Sequence, residues 1–253
     1  MSGQERAAAD IRREYVIEGQ IRLTDAVMEL RLAGDTRRIT APGQFVNIKL
    51  DGLFLRRPIS VCDLTGDRLT IIYKIVGKGT EEMALMEPGQ ELDVLTGLGN
   101  GYSLEESGEA PLLIGGGAGV PPMYLLAKKL IEAGKKPTVI LGFNTASEMF
   151  YEEEFKALGA EVKVTTADGT YGIKGFVTAA MGEEYSYFYA CGPEAMLKAV
   201  ADASVTGGQL SFEERMGCGF GACMGCSCET LYGSKRICKD GPVLRKEEVI
   251  WQK

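Results

Sequence analysis

Four cysteines near the C-terminus, Cys218, Cys223, Cys226 and Cys238, set the tightest constraint on what this 253-residue chain can become. They read C-x4-C-x2-C, and eleven residues then separate Cys226 from Cys238. Four thiolates so spaced suit a [2Fe–2S] cluster of the plant-ferredoxin kind, which carries one electron at a time. The residues among them are small: Gly217, Gly219, Gly221, Ala222 and Gly225. A loop must curl around an inorganic core with its N–H groups near the sulfurs, and glycine allows that approach.

Other uses of these cysteines fit less well. A structural zinc takes four ligands too, but usually from two C-x2-C knuckles or from cysteines mixed with histidines. This chain has one such pair and no histidine. Seven cysteines are an odd number, and no export leader is expected from an N-terminus carrying Glu5, Asp10 and Glu14, so a disulfide framework is a poor match. Cys228, two residues past Cys226, reads as a buried bystander or as a ligand in place of one of the four.

The absence of histidine excludes Ser-His-Asp hydrolysis, His-ligated metal hydrolysis, a Rieske centre and a His-ligated haem within this chain. Redox chemistry on bound cofactors needs none, since the protein positions and the cofactor reacts. A net charge of −7 disfavours a nucleic-acid partner. The uncharged run 110–127 barely reaches spanning length and holds Gly115, Gly116, Gly117, Gly119, Pro121 and Pro122, so no membrane segment is expected. A cytoplasmic location follows as an expectation, where reduced thiols can hold iron.

Residues up to 104 read as short strands with frequent turn signals: 11–17, 21–32, 44–50, 59–62, 69–76 and 90–95, with a short helix over 80–86. Such spacing argues for an antiparallel barrel. After residue 105 strands alternate with helices, which implies a doubly wound parallel sheet: strands 112–114, 137–143, 161–165 and 185–190, helices 122–133, 147–158 and 194–204. From Phe212 onward the chain reads as cysteine-bearing loop. The expected units are 1–104, 105–210 and 211–253.

Ile114 runs into Gly115, Gly116, Gly117, Ala118 and Gly119, then Val120, Pro121 and Pro122. A strand, clustered glycines and a helix start form a receiver for a pyrophosphate, or simply a tight turn. Cys191, Gly192 and Pro193 follow a later strand, and in open parallel sheets ligands lie beyond the carboxyl ends of strands. Arg56 and Arg57 precede Pro58, Ile59 and Ser60; an arginine fork suits a phosphate, although paired arginines are often only a solvated edge. Gly79 and Thr80 open the short helix, where Thr80 can cap it.

In this order the pieces resemble the ferredoxin-NADP reductase superfamily and, within it, the electron-transfer subunits of NAD-dependent dihydroorotate dehydrogenase B. The resemblance covers essentially the whole chain from Tyr15 and rests on Arg57-Pro58-Ile59-Ser60, Gly115 through Pro122, Cys191-Gly192-Pro193, Asp168 through Gly175 and Glu213 through Cys218. It implies FAD contacts from Arg57, Pro58, Ile59 and Ser60, then Ile72, Tyr73 and Lys74, then Gly79 and Thr80. It implies NAD contacts from Gly115, Gly116, Gly117, Gly119, Cys191, Gly192 and Pro193, and no general acid or base. It also implies a partner subunit that oxidises dihydroorotate on FMN, two copies of each chain forming a heterotetramer. NAD is preferred over NADP because residues 142–148 contain no cation and end on Glu148. A flavin and iron–sulfur subunit of an NAD(P)H:ferredoxin or sulfur-reducing complex, and a zinc-stabilised scaffold, are the rival readings.

Overall fold

The computed structural model describes residues 10–251. Six strands close into an antiparallel barrel: β1 (Arg12–Thr24), β2 (Val27–Gly34), β3 (Phe45–Ile48), β4 (Arg57–Thr65), β5 (Arg68–Lys74) and β6 (Glu91–Leu98), in the order β1-β2-β5-β4-β3-β6. Period-two patterning drives closure. In β5, Leu69, Ile71 and Tyr73 enter the barrel core, whereas Ile72 faces out into a second core. The break expected at Gly19 is absent. β1 absorbs that residue as a register shift between Ile17 and Gly19 and turns only at Asp25-Ala26, because apolar alternation continues on both sides.

A short helix, α1 (Lys78–Ala84), follows β5. The helix begins two residues before the expected start, with Gly77 at the N-cap, and Thr80 is its third residue; the Thr80 hydroxyl reaches back to accept the Val76 N–H at 2.9 Å and the Gly77 N–H at 3.3 Å.

The second half holds β7 (Leu112–Gly116), α2 (Val120–Glu132), β8 (Thr138–Phe143), α3 (Glu152–Ala157), β9 (Glu161–Thr166), β10 (Ile173–Lys174), β11 (Phe188–Cys191), α4 (Glu194–Ala203) and β12 (Gly208–Ser211). Strands β10-β9-β8-β7-β11-β12 run parallel. The order reverses direction at β7, and the carboxyl ends of β7 and β11 meet there. The stretch after Phe212 is not simply loop. β13 (Ser227–Thr230) and β14 (Gly233–Arg236) form a hairpin, and β15 (Val243–Arg245) adds antiparallel to β12, giving a seventh strand. These strands are three or four residues long, too short for alternation to declare them.

The helix expected over 147–158 is also broken. A 3-10 turn, Ala146–Glu148, precedes α3, and Tyr151 between them has φ 69°. A tertiary contact imposes this. Tyr151 is buried, its ring meets Tyr124 edge-on at 5.2 Å, and its hydroxyl donates to the buried Glu29 carboxylate of β2 at 2.9 Å.

That bond belongs to the seam between barrel and sheet. Val27, Cys62 and Ile72 from the barrel pack with Val120, Met123, Leu126 and Tyr151, while Leu125 of α2 enters the barrel core. Lys128 adds an ion pair to Asp63 at 2.7 Å and a bond to the Leu64 carbonyl at 3.2 Å. Among the described residues no helix is long and apolar enough to cross a membrane. Removing the seam hydroxyl with Tyr151→Phe leaves a buried carboxylate short of one donor. The expected cost is about 1.5–3 kcal/mol, measured as a lowered midpoint in urea unfolding.

Candidate electron-transfer site

The two arginines of the barrel motif have different fates. Arg56 is consumed by the fold: it pairs with Asp93 at 2.8 Å and donates to the Asn47 and Asp93 carbonyls at 3.3 and 3.0 Å. Arg57 donates to the Leu55 carbonyl and has no carboxylate partner among the described residues. Its guanidinium lies over Gly79: a Cβ built there would sit 2.2 Å from Arg57 Nε. Strand β4 and the start of α1 therefore converge on one uncommitted cation, and a side chain at position 79 would displace it.

The strands beside Arg57 are open. β4 pairs with β3 from Arg57 to Ser60 and with β5 only from Val61 onward. β5 pairs with β2 through Lys74, yet its β4 edge is unpaired beyond Ile71. A gap thus lies between Arg57–Ser60 on one side and residues 72–74 on the other, lined by backbone donors and acceptors that need a partner. An isoalloxazine, flat and edged with both donors and acceptors, suits it. The Tyr73 side chain does not reach this gap. It points into the barrel, where its hydroxyl donates to Gln20 Oε1 at 2.5 Å, and Gln20 in turn donates to the Met83 and Ala84 carbonyls at 3.2 Å. Only the backbone of Tyr73 is left for a ligand. Lys74 is exposed.

At the sheet, β7 extends through Gly115 and Gly116 before a 3-10 turn, Gly117–Gly119. Gly119 is pressed against β11: an added Cβ would lie 2.1 Å from the Cys191 carbonyl oxygen and 2.7 Å from the Gly192 nitrogen. Gly117 has φ 51° and open space over it. The helix start offers less than the glycine pattern suggests. Pro121 and Pro122 carry no N–H, and the Val120 N–H already donates to the Gly117 carbonyl. A phosphate here would rely on the turn's own N–H groups and the helix dipole.

Cys191 lies beside Gly115 in register and is buried. Burial first, then the nearby Glu213 charge, push its thiol up to about 12, so it stays neutral and shapes the site rather than attacking. Beyond β8, the Glu148 carboxylate accepts from the Asn144 side chain at 2.9 Å and from the Asn144 N–H at 3.3 Å.

The four cysteines come together as two pairs. The Cys223 N–H donates to Cys218 Sγ at 3.4 Å, and the Cys238 N–H donates to Cys226 Sγ at 3.4 Å. Further N–H donors point at these sulfurs, Ala222 to Cys218 and Gly221 to Cys238, each at 3.2 Å. Among the described residues no three His, Cys, Asp or Glu side chains converge on a single-ion site. Two pairs of thiols in a cradle of N–H donors fit a core with two irons. The pairs differ in setting: Cys226 and Cys238 are buried, Cys218 and Cys223 half-buried. Burial and the adjoining Cys226 thiol push Cys238 up to about 12. At Cys218 burial acts the same way, but N–H donors from Cys223, Phe220 and Ala222 and the Cys223 thiol outweigh it and bring the group down to about 7. Cys228 stands apart on β13, half-buried, its thiol raised by burial.

Asn47, Gln20 and Tyr102 were not marked by any sequence pattern. Tyr102 links the units by donating to the Ala190 carbonyl at 3.0 Å, next to Cys191.

A flavin gap in a six-stranded barrel, a glycine turn on a parallel sheet and a paired-cysteine loop define a nicotinamide- and flavin-linked reductase with an iron–sulfur centre. Residues 113–202 match the oxidoreductase NAD-binding domain family, and residues 213–250 match the iron–sulfur cluster binding domain of dihydroorotate dehydrogenase B. The chain is 44% identical to the dihydroorotate dehydrogenase B (NAD(+)) electron transfer subunit of Bacillus caldolyticus, over 94% of this chain and 98% of that one. Identity to the corresponding subunit of Fusobacterium nucleatum is 42%, over 93% and 97%. Among solved structures, a chain of an NADH-dependent reduced ferredoxin-NADP oxidoreductase is similar at TM-score 0.86 and 32% identity, covering 94% of this chain and 90% of that one. A ferredoxin NADP+ reductase from Neisseria gonorrhoeae shares the fold at TM-score 0.67 and 16% identity, covering 76% and 90%. The chain belongs to the family of dihydroorotate dehydrogenase B electron transfer subunits.

Gly119→Ala tests the turn. Its Cβ would meet rigid backbone of β11, so the turn and Cys191 must part. The dissociation constant for NADH should rise by roughly tenfold or more, a loss of about 1.4 kcal/mol, with flavin content retained.

Proposed function

We propose that this chain is the electron-transfer half of an NAD-linked dihydroorotate dehydrogenase in pyrimidine biosynthesis. A partner subunit oxidises dihydroorotate to orotate on its own FMN, and electrons reach NAD+ through a [2Fe–2S] cluster and FAD held here. The observation that carries this reading is near-full-length identity of 44% to such a subunit in a chain that also has the flavin gap, the glycine turn and the paired cysteines. When bound, a flavin supplies the exchange between the one-electron steps of a cluster and the two-electron hydride of a nicotinamide.

The chain's own residues orient and insulate. Arg57 meets the FAD phosphates beside Gly79 and Thr80, and the backbones of Pro58, Ile59, Ser60, Ile72, Tyr73 and Lys74 line the isoalloxazine gap. Gly115, Gly116, Gly117 and Gly119 receive the NAD pyrophosphate, and Cys191, Gly192 and Pro193 border the nicotinamide. Cys218, Cys223, Cys226 and Cys238 ligate the cluster. None of these groups acts as a general acid or base, in keeping with the neutral thiol of Cys191. Residues 1–104, 105–210 and 211–253 form the flavin, nicotinamide and cluster units. The assembly is a cytoplasmic heterotetramer of two chains of each kind.

A second reading draws support from the likeness to a chain of an NADH-dependent reduced ferredoxin-NADP oxidoreductase. The two are separated by mixing the purified chain with an FMN-bearing dihydroorotate-oxidising subunit. Orotate formation coupled to NAD+ reduction only in the mixture is expected. NADPH-linked ferredoxin reduction by this chain, indifferent to that subunit, would overturn the proposal.

Two variants probe the assignments. Cys223→Ser should cut partner-dependent turnover roughly tenfold or more relative to NADH-to-dye activity, since one iron loses a ligand. Equal loss of both rates would contradict the order of carriers. Arg57→Ala removes a charge-assisted contact of about 1.5–3 kcal/mol, so FAD affinity should fall roughly ten- to a hundredfold, read as flavin content after dialysis.

A further inference from the structure

Asn47 lies on β3 between Val46 and Ile48, which both point into the barrel core, so its side chain points outward. Phe45, on the same outward face, packs with Cys226 and Cys238. An outward-facing amide would ordinarily meet water, yet Asn47 is only 1% exposed. The cluster loop covers it. Gly219, next to Cys218, approaches so closely that an added Cβ would lie 2.3 Å from Asn47 Nδ2, and its φ of 78° further restricts that position to glycine. The Asn47 Oδ1 atom is buried with no hydrogen-bond partner among the described residues.

The residue is otherwise rigidly held. Arg56 donates to its carbonyl at 3.3 Å, and its cross-strand neighbour on β4 is Pro58, inside the flavin motif. Asn47 is therefore paired with Pro58 through its backbone and faces the Cys218 turn with its side chain. Leucine would fill the same space without stranding an oxygen. A buried amide kept under those terms has a use for its dipole.

We propose that Asn47 is a positioning residue for the cluster, its amide wedged against the Cys218 turn with the NH2 end toward the iron–sulfur core. This rests on the cluster reading above. Positive dipole ends and hydrogen bonds near cluster sulfurs stabilise the reduced, more negative core and so raise its potential. Asn47 thereby places the cluster at a fixed distance from β4 and keeps it easier to reduce than the bare thiolate cage would be.

The test is a redox titration of the complete protein with its bound cofactors, following the reduced cluster by electron paramagnetic resonance in wild type, N47L and N47D. Iron and sulfide are assayed first. Their absence from the wild type would defeat the cluster reading itself. With the cluster present, N47L should titrate at a lower potential than wild type, and N47D lower still, since a carboxylate both removes the donor and adds negative charge. N47D preserves the size and shape of the side chain, so it decides the matter if N47L loses iron. An unchanged potential in N47D, or a raised one in N47L, would overturn the proposal; a purely structural role would change iron content or unfolding and leave the potential of the remaining clusters where it was.

Discussion

The structure depends most on one apolar seam, where Cys226, Ile237, Cys238 and Leu244 pack against Phe45, Leu95 and Leu98 of the barrel. Two of the four cysteines proposed as ligands, Cys226 and Cys238, are also buried core residues. Their burial in a wall shared with β3 and β6 fixes the cysteine loop on the barrel, when the loop's own hairpin is too small to do so. The tie is reinforced on both sides. The Asn100 side chain brackets Val243, donating to its carbonyl at 2.8 Å and accepting from its N–H at 3.2 Å, and β15 then completes the edge of the parallel sheet.

That seam sets the spatial order of the proposed sites. The cluster loop sits on the outer face of β3, β3 pairs with β4, and β4 borders the open gap with β5. On the other flank, the carboxyl end of β11 and the Gly119 turn touch each other. The seam between barrel and sheet holds this flank, with Leu125 inserted into the barrel and Tyr151 bonded to Glu29. Each carrier site is made by a different layer, and rigid packing sets the spacing between layers. Rates of electron passage depend steeply on such spacing, so the protein contributes geometry and local field rather than acid–base chemistry.

Much of this was legible in the sequence where a rule is local. The cysteine spacing, the glycine run after Ile114 and the turn residues between barrel strands each leave a pattern that needs no tertiary knowledge. That the Thr80 hydroxyl serves the start of the short helix was readable for the same reason, although Gly77 and not Thr80 holds the N-cap position. What escaped was decided by contacts between distant segments. Tyr151 breaks a predicted helix because a carboxylate 122 residues away takes its hydroxyl. Strands β12 and β15 are four and three residues long, and only their sheet neighbours reveal them, β11 and β15 for β12 and β12 for β15. The two adjacent arginines look alike in sequence, and only Asp93 tells them apart. The proline pair at α2 was visible, but its consequence, a helix start with few free donors, needed the Val120 bond to Gly117.

If one chain holds a di-iron cluster within electron-transfer distance of a flavin, NADH must be able to reduce both. The most direct measurement is to add NADH alone to the anaerobic, cofactor-loaded protein, freeze it at intervals and record the electron paramagnetic resonance spectrum. The flavin absorbance should bleach, and the signal of a reduced [2Fe–2S] cluster should then grow. Bleached flavin with a silent cluster, in a sample where dithionite does produce the cluster signal, would contradict it.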